Sequence, residues 1–284
     1  MIAPHKQLKW GVSSMGAPEM NLDELITLAE QFELHGIELR TVNNELDLAS
    51  ALSRIPQRSL DRLATSKVNI ASLNSSFLLI NPCSQSWQDL KHLAIWADRL
   101  SIPYIRVFGG GHMEIPLESS DYAKAVSVIR NWKTWRDDMG FQVDLALETH
   151  CGFSTSDRCL TLFDAAGEKL PIFWDSHHSF HAGEELSETW QALQSQIVHV
   201  HLKDSLPIPS ARHPYSYALP GKGTFPADDV LNLLRDALFS GLVTLEWERL
   251  WHPYLGTLAS AMRHLENAGW RQPMSQALAT SSTI

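Results

Sequence analysis

Eight short runs of β-branched and apolar residues recur along the chain about 34 residues apart, centred near Trp10, Ile37, Ile70, Ile105, Leu145, Phe173, Val200 and Leu245. That spacing is the length of one strand-plus-helix unit. Eight such units occupy most of the 284 residues and close naturally on themselves. The pattern therefore predicts an α/β fold of the (β/α)₈ TIM barrel type, a single domain over residues 1–270, with 271–284 as a loosely ordered tail. A doubly wound open sheet would use the same alternation, but no GxGxxG follows the first run.

The segments between the runs carry helical periodicity. Asn21 is placed to cap a helix whose third residue is Glu24, and Leu22, Leu25, Ile26, Ala29 and Phe32 recur on one face, with Gly36 expected to stop it. Comparable helices are predicted over Gln85–Leu100, Asp121–Met139 and Ala227–Phe239, the last opened by Pro226 and closed by Gly241.

Charge narrows the function classes. Lys and Arg total 23 against 32 Asp and Glu, a net charge of −9, which is the wrong sign for tracking a phosphate backbone, so no nucleic-acid partner is expected. The three cysteines form no CxxC pair and fit a reducing compartment. No run approaches the length of a membrane span, and MIAPHKQLKW is not a signal peptide, so a cytoplasmic protein without a membrane partner is expected.

In barrel strands alternate residues face the interior, so polar residues in the inward phase need a reason. GIELR turns Glu38 and Arg40 inward, YIRVF turns Arg106 inward, and LALETH turns Ala146, Glu148 and His150 inward. In VHVHLKD the inward set is His199, His201 and Lys203, and in TLEWE it is Glu246 and Glu248. Glu38 reads as the ion-pair partner of Arg40 or Arg106, because a buried carboxylate needs a partner. A second group is different: Glu148, Asp175, His201 and Glu246 fall at the C-terminal ends of the fifth to eighth runs, the end of a barrel where chemistry is built. Three carboxylates brought together repel unless a cation joins them, which points to a divalent metal.

As an ordered set these motifs resemble the xylose isomerase-like barrel superfamily, the sugar phosphate isomerase/epimerase family. The resemblance rests on the Glu of LALETH, the DxxH of WDSHHSF (Asp175 and His178), the HxHxKD of HVHLKD, the GKG of PGKGTFP (Gly221 and Gly223) and the Glu of TLEWE. It implies that Glu148, Asp175, His201 and Glu246 bind one divalent ion, with Mn²⁺, Mg²⁺ or Co²⁺ favoured by the oxygen-rich donor set and Zn²⁺ allowed. It further implies that Glu148 and Glu246 exchange a proton as base and acid across an enediolate, in an isomerase or epimerase of a sugar-like keto compound. His178, His150, Lys203 and Trp174 are the expected substrate contacts, His177 and His181 are further pocket candidates, and Glu248 is the less favoured ligand. Trp10, Trp247 and Trp251 also lie near strand ends, where an indole could stack on a sugar. A dehydratase acting on a cyclic keto-polyol would use the same ion, whereas a non-catalytic sugar-binding protein would have no need of so complete a ligand set. A nuclease of this superfamily would need a histidine where Asn74 stands. The ketose 3-epimerase pattern has a Glu and an Arg where this chain has Ser154 and Pro207, so recognition of the far end of the substrate must differ. Pairing of two copies through barrel helices is the expected assembly.

Overall fold

The computed structural model describes residues 7–272. Eight parallel strands close into a barrel: β1 (Lys9–Ser13), β2 (Gly36–Leu39), β3 (Asn69–Leu78), β4 (Tyr104–Phe108), β5 (Asp144–Glu148), β6 (Ile172–Asp175), β7 (Ile197–Leu202) and β10 (Leu242–Leu245). Between β7 and the last barrel strand the chain makes a small antiparallel hairpin, β8 (Asp204–Leu206) and β9 (Ser216–Ala218). Each of the eight expected runs is a barrel strand, and closure comes from β1, which pairs with β2 on one side and β10 on the other. The hairpin has no counterpart in the eight-run pattern.

Helix boundaries follow local chemistry. The helix Leu22–Gln31 opens with the expected reciprocal cap, Asn21 accepting from the Glu24 N–H and Glu24 accepting from the Asn21 N–H. It does not run on to Gly36. The chain turns at Glu33, which takes a left-handed φ of 50°, and the Leu34 N–H returns to the Ala29 carbonyl at 2.8 Å. Gly36 instead begins β2, where a Cβ would sit 3.1 Å from both the Ala71 Cβ and a Leu242 methyl. The helices Ser84–Arg99 and Ser119–Met139 match expectation within two residues, whereas the one beginning at Ala227 ends at Asp236. Residues 273–284, most of the expected tail, lie outside the described residues; Arg271 is held by the Phe32 carbonyl at 2.7 Å.

The apolar core lies between strands and helices, as the alternation requires: Ile37, Leu39, Ile105, Val107, Leu145, Leu147, Val200, Leu202, Val243 and Leu245 are all buried within it. The barrel interior, filled in most barrels by branched apolar side chains, is here largely polar, with Glu38, Ser72, Asn74, Arg106, Glu148, Asp175, His201 and Thr244 all buried.

Trp174 belongs to the outer layer. Its ring packs 5.9 Å from that of Trp190, its Nε1–H donates to the Ser179 hydroxyl, and no part of the residue is exposed. It cannot stack on a substrate, because its neighbour Asp175 takes the inward phase. Trp10 and Trp247 are likewise buried in the core. Trp174→Ala should therefore cost about 3–5 kcal/mol of unfolding free energy, as for other buried tryptophans. Chemical denaturation measures this, and an unchanged midpoint would contradict the placement.

Candidate metal centre

Four side chains meet at the C-terminal mouth of the barrel. Glu148 ends β5, Asp175 ends β6, His201 lies in β7 and Glu246 follows β10, so they come from four neighbouring strands of the closed order. One ligand atom from each lies within 4.8 Å of all the others, and all four residues are buried.

The donor atoms are poorly used by the protein itself. Asp175 spends Oδ1 on capping the short helix Ser176–His181, accepting from the His178 N–H at 2.9 Å, and this leaves Oδ2 facing the cluster. Glu148 Oε2, Asp175 Oδ2 and His201 Nδ1 are buried without a well-aligned hydrogen bond. Two of the three have a cation nearby: Arg106 Nε is 2.9 Å from Glu148 Oε2, and Lys203 Nζ is 2.7 Å from Asp175 Oδ2. Those contacts are close enough for Coulomb attraction but not aligned as hydrogen bonds. His201 Nδ1 faces oxygens only, 3.4 Å from Glu246 Oε1 and 3.7 Å from Glu148 Oε1. A buried imidazole nitrogen and three carboxylates converging on one point are the donor set a divalent cation takes, so the residues fit such an ion.

The other ring nitrogen of His201 explains why Nδ1 is available. Nε2 lies 2.9 Å from Glu38 Oε2. An ionised carboxylate only accepts, so it fixes one N–H on Nε2 and leaves Nδ1 as the nitrogen whose proton a metal ion would displace. Glu38 is wholly buried and accepts from four donors: His201 and the Asn74 amide on one oxygen, the Thr244 hydroxyl (2.6 Å) and His199 Nδ1 (3.1 Å) on the other. The expected pairing of Glu38 with Arg40 or Arg106 is thereby corrected. Arg106 reaches Glu148, and Arg40 bonds Ser76 and the Leu46 carbonyl. Closure of the barrel brings β7 and β10 round to β2, and two histidines outcompete the guanidiniums that looked nearer in sequence.

Electrostatics within the cluster are strongly coupled. Burial raises the Asp175 carboxyl, and Glu246 and Glu148 add to the rise against the pull of Lys203, leaving it at about 7. Burial opposes charge on His201, yet Glu246 and Glu38 outweigh it and hold the imidazole well above its ordinary range. The Lys203 ammonium is buried too, but Asp175, Glu246 and Glu248 raise it well above the usual lysine value. Glu248 is thus a partner of Lys203 (2.7 Å) and of the Tyr217 hydroxyl (2.7 Å), one step outside the four-residue cluster.

Of the remaining expected pocket residues, His178 lies beside the cluster and His150 packs against His178. The His150 ring lies 4.5 Å from that of Phe108 and 4.4 Å from that of His178, and burial lowers its basicity to about 3. His178 Nε2 is 3.5 Å from Asp175 Oδ2, and burial, reinforced by Lys203, keeps this ring neutral as well. His177 turns away toward Ser205 and His181, at 2.8 Å and 3.1 Å. Gly223 is required by close approach: its N–H donates to Asp204 Oδ2 at 2.8 Å, and a Cβ would lie 2.0 Å from Asp204 Oδ1.

The fold is thus a closed parallel eight-stranded barrel, and its C-terminal mouth carries a three-carboxylate, one-histidine cluster that could hold a metal ion. The model of the xylose isomerase-like TIM barrel family matches residues 26–268, and the chain belongs to that family. Similar folds include the IolI protein, crystallised with a bound zinc atom, at 18% identity and a TM-score of 0.73 over 94% of this chain and 100% of that one. A probable 3-DHS dehydratase of Bacillus anthracis, AsbF, superposes with a TM-score of 0.73 at 20% identity over 92% and 99%. The 3-keto-D-glucoside 4-epimerase YcjR of E. coli does so with 0.70 at 13% over 94% and 99%. In sequence, an uncharacterized protein of Mycobacterium leprae is 36% identical over 81 residues, a stretch that spans 28% of either chain.

Metal titration followed by calorimetry should show about one ion per chain for the wild type and none for His201→Ala; equal binding by both would contradict the assignment. Glu38→Met, which removes the acceptor behind His201, should weaken the ion by about 10- to 100-fold, with Glu38→Gln falling less because it still offers an oxygen. Protons on Asp175 and His201 compete with the cation, so affinity should rise with pH through neutrality and loading at pH 7 should release protons. Pure buffer-independent heats would contradict this.

Proposed function

We propose that the protein is a metal-dependent isomerase or epimerase of a sugar or sugar-like polyhydroxy carbonyl compound. One observation carries the reading: Glu148 and Glu246 stand at the two ends of the four-strand arc, with Asp175 and His201 between them, so a carboxylate flanks each side of the same point. Moving a proton between adjacent carbons requires a base on one side and an acid on the other, which a site built only to hold a ligand does not need. A divalent ion bound there would supply charge to stabilise the oxygens of an enediolate.

The chain's own groups divide the work. Arg106 holds one oxygen of Glu148 and leaves the other turned to the cluster, fixing the carboxylate for proton removal. Glu246 lies between His201 and Lys203, whose positive charges keep it well below the usual carboxylate range despite burial. Lys203 Nζ donates a hydrogen bond to Glu246 and so holds that carboxylate in place. The neutral imidazoles of His150 and His178 offer lone pairs and N–H groups to substrate hydroxyls at the rim.

Glu148→Gln and Glu246→Gln test the reading, because Gln keeps an oxygen donor and loses the titratable group. At saturating Mn²⁺ each variant should lose turnover by at least about 10²-fold on any substrate found by solvent-deuterium incorporation into ketoses, inososes and 3-keto sugars. Full turnover by both variants would show that the glutamates are ligands only. Loss of a β-substituent from the exchanging substrate would make the enzyme a dehydratase and contradict the isomerase assignment.

A further inference from the structure

Arg40 is a buried cationic side chain at the end of β2 that makes no contact with the metal cluster. It follows β2 directly, in the inward phase two residues beyond Glu38, and is only 7% exposed. Two residues along a strand is about 6.6 Å, so Arg40 stands one layer nearer the mouth than Glu38. In the closed strand order β2 is separated from β10 by β1, and from β5 by β3 and β4, which puts Arg40 on the wall across from the four ligand strands.

Its guanidinium is incompletely satisfied. Nη2 donates to the Ser76 hydroxyl at 2.7 Å and Nη1 to the Leu46 carbonyl at 3.3 Å. Five N–H groups are available to an arginine, so three remain. No carboxylate pairs with it among the described residues; its charged neighbour is Arg106, and burial together with that repulsion pulls it down to about 10. The Trp251 ring lies 5.9 Å from the guanidinium carbon and gives the fork an aromatic edge, with the exposed Arg212 6.0 Å from the same ring. A buried cation left without an anion is costly unless something brings the anion.

We propose that Arg40 binds a carboxylate of the substrate, so that the substrate is an acidic polyhydroxy carbonyl compound spanning the mouth from the metal cluster to the end of β2. A carboxylate matches the planar fork with two parallel N–H contacts and carries the single charge that one guanidinium balances, whereas a phosphate at neutral pH brings more charge than this wall offers. This proposal rests on the isomerase or epimerase reading only for the position of the carbonyl.

Binding to the Mn²⁺-loaded protein tests it without any need for turnover. The probes are D-fructose, D-fructuronate and D-fructose 6-phosphate, which differ only at carbon six, together with 3-dehydroshikimate and its methyl ester. In at least one of the two series the carboxylate should bind at least about tenfold more tightly than its neutral counterpart, the scale of one charge-assisted hydrogen bond, and fructuronate more tightly than the phosphate. Arg40→Met should erase that preference and Arg40→Lys should keep part of it, at unchanged metal content. The proposal is overturned if acid and neutral probes bind alike or not at all, if the phosphate is preferred, or if the preference survives in Arg40→Met. Should Arg40→Met not fold, the wild-type comparison and Arg40→Lys still decide. Deuterium exchange with a neutral ketone, together with no acid preference, would sink this proposal and leave the isomerase reading standing; an acid preference without exchange would do the reverse.

Discussion

A single ionised carboxylate in the middle of the barrel, Glu38, organises the site above it. Wholly buried, it would be prohibitively costly alone, and it is stabilised by four hydrogen bonds that arrive from β3, β7 and β10. Two of those strands, β7 and β10, are far from β2 in sequence and meet Glu38 across the interior only once the barrel has closed. The same charge decides which nitrogen of His201 faces the mouth, so the fold's central polar contact and the chemistry of the cluster are one constraint. His199, the first histidine of the HVH run, acts through this carboxylate and takes no place among the ligands.

Charge balance governs the next layer. Four carboxylates, Glu148, Asp175, Glu246 and Glu248, crowd around two fixed cations, Arg106 and Lys203. Burial raises Asp175 and the surplus of negative charge adds to that rise; the same surplus holds the proton on His201 against burial, and it is what a divalent cation would relieve. Lys203 touches three of the four carboxylates, so it keeps the mouth intact whether or not an ion is present. Replacing its ammonium would leave several buried charges uncompensated at once.

The period-two alternation of β strands made much of this legible in the sequence. Eight apolar runs announced the barrel, and reading every second residue of LALETH, VHVHLKD and TLEWE put Glu148, His201, Lys203 and Glu246 on the inside before any contact was known. Partner choice was not legible. Glu38 meets His199 and His201 some 160 residues away in sequence, a contact set by strand order and register and invisible to local spacing. Nearness along the chain favoured Arg40 and Arg106, and the structure sends both elsewhere. Trp174 shows the converse: its phase, opposite to Asp175, already placed it outside the barrel, although its position at a strand end suggested the mouth.

Histidine nitrogen resonances of the ¹⁵N-labelled protein loaded with Zn²⁺, a diamagnetic probe, would report which His201 nitrogen faces the ion. His201 should carry its proton on Nε2, hydrogen-bonded to Glu38, with the Nδ1 resonance shifted by the ion and both signals altered in Glu38→Met. Coordination through Nε2, or a His201 ring whose resonances ignore the ion, would contradict it.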